Sequence, residues 1–157
     1  MQKDWASEEM IEFRELFRLR SLRITPQRIA VYRELVRSPD HPSADTLYRA
    51  VRKHHPHISY DTVNRTLHTF VSLGLADIAE GMGGVRRYDG DLRPHHHFLC
   101  RRCGRIFDFQ SPDLDDTPIP AELRNRFDVT SRRVVLSGIC RECRNRTQKG
   151  PRQNKSS

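Results

Sequence analysis

No stretch of this 157-residue chain holds the roughly 18 to 20 consecutive apolar residues that cross a bilayer. Its opening, MQKDWASEEM, also lacks the apolar centre of a secretory signal, so a cytoplasmic protein without a membrane partner is expected. Acidic residues are in deficit, 20 Asp and Glu against 28 Lys and Arg, and the formal charge of +8 disfavours basic partners. A polyanion fits better, with nucleic acid as the first candidate, although a basic surface also serves plain solubility. No cysteine lies outside two CxxC pairs, Cys100/Cys103 and Cys140/Cys143, and in a reducing compartment such pairs point to metal before disulfides. Internal repeats are absent. The length suits one ordinary domain or two small ones, and small domains bury proportionally little surface, so a metal staple would help.

What is present first is helical periodicity. From Ser7 to about Arg20, Met10, Phe13, Leu16 and Phe17 recur at helical spacing, with Ser7 as N-cap and Glu8 and Glu9 in the first turn. In ITPQRIAVYRELV, Thr25 caps, Pro26 takes the first helical position, and Ile29, Tyr32, Leu35 and Val36 form the buried stripe. Ser43 caps a third helix reaching about Lys53, with Leu47, Ala50 and Val51 on one face; the polar segment HHPH, holding His54, His55 and His57, ends it and reads as solvated.

Ser59 caps a fourth helix with Val63, Leu67, Phe70 and Val71 on its apolar side and Gly74 as the left-handed stop. Its other face carries Asp61, Asn64, Arg65 and His68, a pattern that plain solvation also explains. ADIAE, GMGG and VRRYD then read as a hairpin, so residues 1–89 are expected to form a winged helix-turn-helix.

Residues 90–94 read as a hinge, and 95–143 hold shorter β-rich runs (FLC, RIFDF, DVTSRRVVLSGIC) with one short helix starting near Pro120. The fold class is α+β, a winged helix-turn-helix followed by a small α/β domain. Residues 144–157, polar, basic and aperiodic, read as a disordered tail.

The two CxxC pairs fit a structural zinc site, since each knuckle sets two sulfurs on a tight turn; redox dithiols or unrelated buried thiols are the alternatives. The arginines adjacent to the cysteines in CRRCG and CRECR would offset the charge of four thiolates. On a strand, residues i and i+2 share a face, so His95 and His97 can share a metal while His96 turns away. Further ligands must come from elsewhere, and His41, Asp89 and Asp108 are candidates. Three imidazoles and two carboxylates make a mixed site with an open position, suited to Fe(II), Mn(II) or Zn(II). The alternative is that His41 is a loop residue and the two acids are ordinary turn or surface groups.

The stretches LRITPQR, HPSADTLY, TVNRTL, SLGL, RRYD, HHHFLCRRCG and GICREC, in that order over about residues 20 to 143, resemble the ferric uptake regulator (Fur) family of bacterial metal-dependent repressors. The resemblance implies an N-terminal winged-helix DNA-binding domain, a C-terminal dimerisation domain with zinc on Cys100, Cys103, Cys140 and Cys143, and a regulatory metal on His41, Asp89, His95, His97 and Asp108. It implies a homodimer on palindromic, A/T-rich double-stranded operator DNA, with Arg23, Tyr60, Thr62, Asn64 and Arg65 at the DNA.

Within the family the chain is most similar to the peroxide-sensing branch, usually called PerR. Asp89 and Asp108 are both aspartates, where iron-sensing members typically carry glutamates. An iron- or zinc-responsive uptake regulator is the alternative. A metallohydrolase is a further one, since such a site can activate water, but no additional general base accompanies it and the helix-turn-helix would be unexplained, so no enzymatic activity is expected.

Two departures from the family stand out. Pro94 and Arg132 occupy positions where many members have histidines of a further metal site, so His96 and Asp115 are expected to lack co-ligands there. Asn64 replaces the tyrosine usual in the recognition helix and can read adenine through two hydrogen bonds.

Overall fold

Hydroxyl caps start three of the four helices of the first half, because a helix leaves its first amides without partners. In the computed structural model, which describes residues 8–79 and 81–148, Thr25 Oγ1 accepts the Arg28 amide at 3.3 Å, Ser43 Oγ that of Thr46 at 3.2 Å and Ser59 Oγ that of Thr62 at 3.1 Å. They open α2 (Pro26–Arg37), α3 (Ala44–Arg52) and α4 (Tyr60–Leu73), which follow α1 (Glu8–Leu19). Gly74 closes α4 at φ +72°, a left-handed conformation glycine adopts without strain. The expected Ser7 cap, the Glu8 and Glu9 side chains and residues 149–157 lie outside what is described. Replacing Ser59 by alanine leaves the Thr62 amide without its acceptor and should lower stability by about 1 kcal/mol, read as a drop in melting temperature.

The apolar faces of these helices close on an aromatic cluster. Phe13 stacks on Tyr32 at 4.8 Å, and Phe70 of α4 meets Phe13, Phe17 and Tyr32 edge-on at 5.9, 6.3 and 5.5 Å. Val31, Leu35, Leu47, Val51, Val63 and Leu67 complete the core. On α2 the buried stripe is Val31, Tyr32 and Leu35, whereas Ile29 and Val36, expected in it, are only half-buried. The helix packs against both α3 and α4, so its buried side widens toward Val31, one turn before Leu35.

A two-stranded wing follows, β1 (Asp77–Ala79) antiparallel to β2 (Arg87–Asp89), with Asp77 opposite Asp89 and Ala79 opposite Arg87. Pairing begins at Arg87 rather than at Val85, so the connection is longer than the GMGG turn; Gly83 and Gly84 within it have φ +67° and +73°. The Tyr88 amide donates to Pro42 O at 3.0 Å, and Ser43 bridges Arg87. These bonds bring the end of β2 to the start of α3.

The chain divides into two compact units, the first ending at Leu92 and the second running on from Arg93 and including Gly81–Gly83. The second carries a three-stranded sheet in the order β4-β3-β5. β3 (His96–Cys100) is antiparallel to β4 (Ile106–Phe109), with His97 opposite Asp108, and parallel to β5 (Val135–Gly138), with Cys100 opposite Gly138. The whole is α+β.

Three local expectations differ from the structure. Only VLSG of the late β-branched run is strand. A one-turn helix, α5 (Pro112–Asp115), precedes the expected α6 (Ala121–Arg126); having no buried residue, it leaves no apolar signature. The tail does not begin at residue 144, since α7 (Arg141–Gln148) runs on through it. Its single buried side chain among those described is Cys143, too little to give periodicity. The buried cluster of this unit is itself made of Cys100, Cys140 and Cys143, with Phe98 and Phe107 packed against them. Among the described residues no helix is long and apolar enough to cross a membrane.

Candidate metal centres and nucleic-acid face

Cys100 ends β3, and the chain then folds back through a tight turn in which Gly104 (φ +70°) donates to Cys100 O at 2.9 Å. Cys103 stands on that turn. Because Cys100 pairs with Gly138, Cys140 emerges two residues later beside it, and α7 supplies Cys143 one turn further on. The four sulfurs lie within 4.8 Å of one another, Cys103 and Cys140 at 3.9 Å, and all four cysteines are free of disulfides. A tetrahedral zinc with bonds of about 2.3 Å needs sulfurs about 3.8 Å apart, so the quartet fits the ion.

The surrounding donors favour thiolates at two positions. The Cys140 amide, 3.4 Å from Cys100 Sγ, leads the contacts that hold this thiol down to about 6. The Arg105 amide and guanidinium lower Cys103 in the same sense, and Arg105, also joined to Glu142, is held more firmly protonated in return. Burial instead pushes the Cys143 thiol up to about 12. Arg105, two residues beyond Cys103, is thus an arginine that faces a sulfur. Arg102, inside the CxxC, donates to Cys143 O at 2.9 Å. No spacing in the sequence marks Arg105, which meets Cys103 only because the turn brings its amide and guanidinium back to that sulfur.

At the other end of β3, His95 and His97 are both buried and point to one side, their Nε2 atoms 2.9 Å apart. His95 Nδ1 lies 2.7 Å from Arg93 O, which assigns the proton to Nδ1 and turns the Nε2 lone pair toward its neighbour. Asp108, the cross-strand partner of His97, sets Oδ1 3.7 Å from His95 Nε2 and 3.6 Å from His97 Nε2. Adjacent ligands of one divalent ion lie about 3 Å apart, so a small closing movement suffices.

His96 faces the other way. Its Nδ1 accepts the Val134 amide at 3.3 Å, its ring packs on Phe109, and Nε2 lies 3.3 Å from Asp115 Oδ1. Arg132 donates to Leu114 O and Asp115 O at 3.2 and 2.6 Å.

The first unit holds a pair of its own. His41 and Asp89 are both buried, with Nε2 to Oδ2 at 3.6 Å, brought together by the bonds between β2 and the start of α3. His41 holds φ +46°, a sparsely populated conformation for a side chain of its size and one that clusters at functional sites. Asp89 Oδ1 accepts the Asp91 amide at 2.9 Å, leaving Oδ2 toward the imidazole. Gly90 lies against α2, where an added Cβ would meet Val36 Cα at 3.1 Å. The carboxylate is thus anchored from both flanks.

On α4, Tyr60 is half-exposed and rests edge-on against Tyr48 at 5.9 Å, and Arg65 is held by Asp61 at 2.9 Å on the open surface. Asn64 is half-buried, and the Thr62 hydroxyl is taken up by Ser59 Oγ at 2.9 Å. Arg23 is exposed on the loop between α1 and α2. His54 and His57 are exposed and His55 half-buried.

Comparison with known proteins places this arrangement among relatives. Residues 20–137 match the ferric uptake regulator family. The chain is 37% identical over 125 residues to a peroxide-responsive repressor, PerR, of Staphylococcus aureus, covering 80% of this chain and 84% of that protein. It is similar to the solved peroxide stress regulator of Campylobacter jejuni, with TM-score 0.66, 28% identity, and 85% and 98% of the two chains covered. Its fold is also that of the Helicobacter pylori ferric uptake regulator, with TM-score 0.76 at 22% identity over 92% and 97% of the chains.

Proposed function

The chain belongs to the ferric uptake regulator family, and from that premise we propose that it is a peroxide-sensing repressor whose hold on DNA depends on a bound divalent metal. It is a transcription regulator and not an enzyme. Zinc on Cys100, Cys103, Cys140 and Cys143 serves the fold, and a regulatory Fe(II) or Mn(II) takes His41 and Asp89 from before residues 90–94 and His95, His97 and Asp108 from after them. Residues 90–94 act as the hinge. An ion gripped from both sides of a hinge restricts its motion, so the metal selects one DNA-competent conformer. Linkage makes the effect reciprocal, and operator DNA tightens the metal.

The protein acts as a homodimer that presents α4 of each protomer to successive major-groove half-sites of a palindromic, A/T-rich operator. Tyr60, Thr62, Asn64 and Arg65 face that groove, and Arg23 enters the narrow minor groove beside it. Asn64 in place of tyrosine gives the helix an adenine-reading amide.

The observation that carries the peroxide reading is that both acidic ligands are aspartates, Asp89 and Asp108, whose shorter side chains would alter how an open coordination position is presented to a small oxidant. Iron, when bound, would supply the redox chemistry with peroxide as the oxidant. As ligands of that iron, His41 or His95 would be the residue that peroxide oxidises, and its modification would weaken the site and with it the conformer that binds DNA.

Treating the Fe(II)-loaded and the Mn(II)-loaded protein with hydrogen peroxide tests this. The iron form should gain one oxygen on the peptide containing His41 or His95 and release its DNA, while the manganese form keeps both mass and binding. An iron form unchanged in peptide mass and DNA affinity would instead make the chain an iron- or zinc-responsive member.

A further inference from the structure

We propose that Arg28 is a positioning residue for DNA binding, acting by fixing the backbone from which Arg23 projects; this rests on the reading of Arg23 as a DNA contact. The loop that carries Arg23 is unusually constrained for a segment of exposed and half-exposed residues. At its start α1 ends with two reversed bonds, Leu22 N to Phe17 O at 2.8 Å and Ser21 N to Arg18 O at 3.1 Å, with Ser21 at φ +53°. This is the left-handed stop that glycine usually supplies, here held by a serine. At its end Thr25 is held as the cap of α2. Arg23 lies between the two anchors.

Arg28 supplies the tie that these anchors leave out. It sits in the first turn of α2, where its amide is already engaged by Thr25 Oγ1. Its side chain turns back, so that Nη1 donates to Arg23 O at 2.5 Å and the guanidinium carbon lies 5.5 Å above the Phe17 ring. Phe17 is fully buried and meets Phe13 at 4.5 Å and Phe70 of α4 at 6.3 Å. One planar cation therefore ties the loop carbonyl to the aromatic core that also seats α4. The planar shape matters, since a guanidinium can lie on a ring face while directing an N–H in its own plane, which an ammonium does less well.

A side chain committed to its own backbone and core is poorly placed to hold a phosphate. Its contribution to DNA affinity should pass through Arg23, whose entropy of ordering on the DNA it reduces in advance.

The test is a double-mutant cycle on the full-length, Mn(II)-loaded protein, using a duplex selected by the wild type from a random A/T-rich pool. Arg23→Ala and Arg28→Ala should each weaken binding by roughly tenfold, and the double variant should be no weaker than either single one. The slope of log affinity against log salt should fall by about one in all three, because a single cation no longer reaches the DNA. Arg28→Lys should recover part of the affinity, and zinc content and melting temperature should stay near wild type.

Additive effects, or a salt slope that falls by about two in the double variant, would mean that Arg28 touches DNA itself and would overturn the proposal. Wild-type affinity in Arg28→Ala would overturn it equally. Wild-type affinity in Arg23→Ala would remove the reading of Arg23 on which it stands, an outcome distinct from the other two.

Discussion

Changing Cys140 to serine is expected to abolish zinc binding, to remove the cooperative melting of residues 93–148 and to dissociate the dimer. The magnitude follows from what this unit buries. Its apolar cluster consists of Cys100, Cys140 and Cys143, with Phe98 and Phe107 only half-buried beside them, so little hydrophobic free energy remains when the ion is lost. Structural zinc binds peptides of this ligand type with an apparent free energy of about 10 to 16 kcal/mol, as large as the whole stability of a typical domain. Cys140 also donates its amide to Cys100 and stands 3.9 Å from Cys103, at the junction of both knuckles. Zinc content by elemental analysis, thermal melting and sedimentation check the outcome together. A zinc-free dimer that melts cooperatively would contradict the structural role.

His97→Ala should have an equally clear effect of a different kind: loss of Mn(II)-dependent DNA binding by about a hundredfold or more, with one zinc per protomer retained. Changes to groups that merely support a ligand reduce metal affinity by about 10- to 100-fold, and His97, buried, 2.9 Å from His95 and opposite Asp108, is proposed as a ligand itself. Alanine there also removes one of the two imidazoles that face Asp108 Oδ1. Gel shifts across a Mn(II) titration read the change, and normal affinity at low Mn(II) would remove His97 from the regulatory set. The contrast between the two variants separates a metal that makes the fold from a metal that switches it.

What was legible in the sequence was mostly local. Thr25, Ser43, Ser59 and Gly74 announce helix ends because capping needs only a residue and its near neighbours. The opposite facing of His96 follows from strand alternation alone, and the CxxC spacing carries its own turn. Features that depend on a distant partner were not legible. Val31 is buried because α2 is packed on two sides, α7 persists because Cys143 is held in the sulfur cluster, and α5 has no buried residue to signal it. Arg105 faces Cys103 only through a turn that the sequence does not display. For His41, Asp89 and Asp108 residue type made them candidates, and family resemblance, rather than spacing, joined them to the histidines of β3.

On strand β3, His97 lies on one side of the pleat, the side shared with His95 just before the strand, and Cys100 on the other, separated by only Phe98 and Leu99. Inserting or deleting a single residue there would turn the thiolate onto the imidazole side and offer a mixed soft and hard donor set to whichever ion arrived first. The two residues thus act as an insulator whose even length keeps thiolate and imidazole from competing for the same metal.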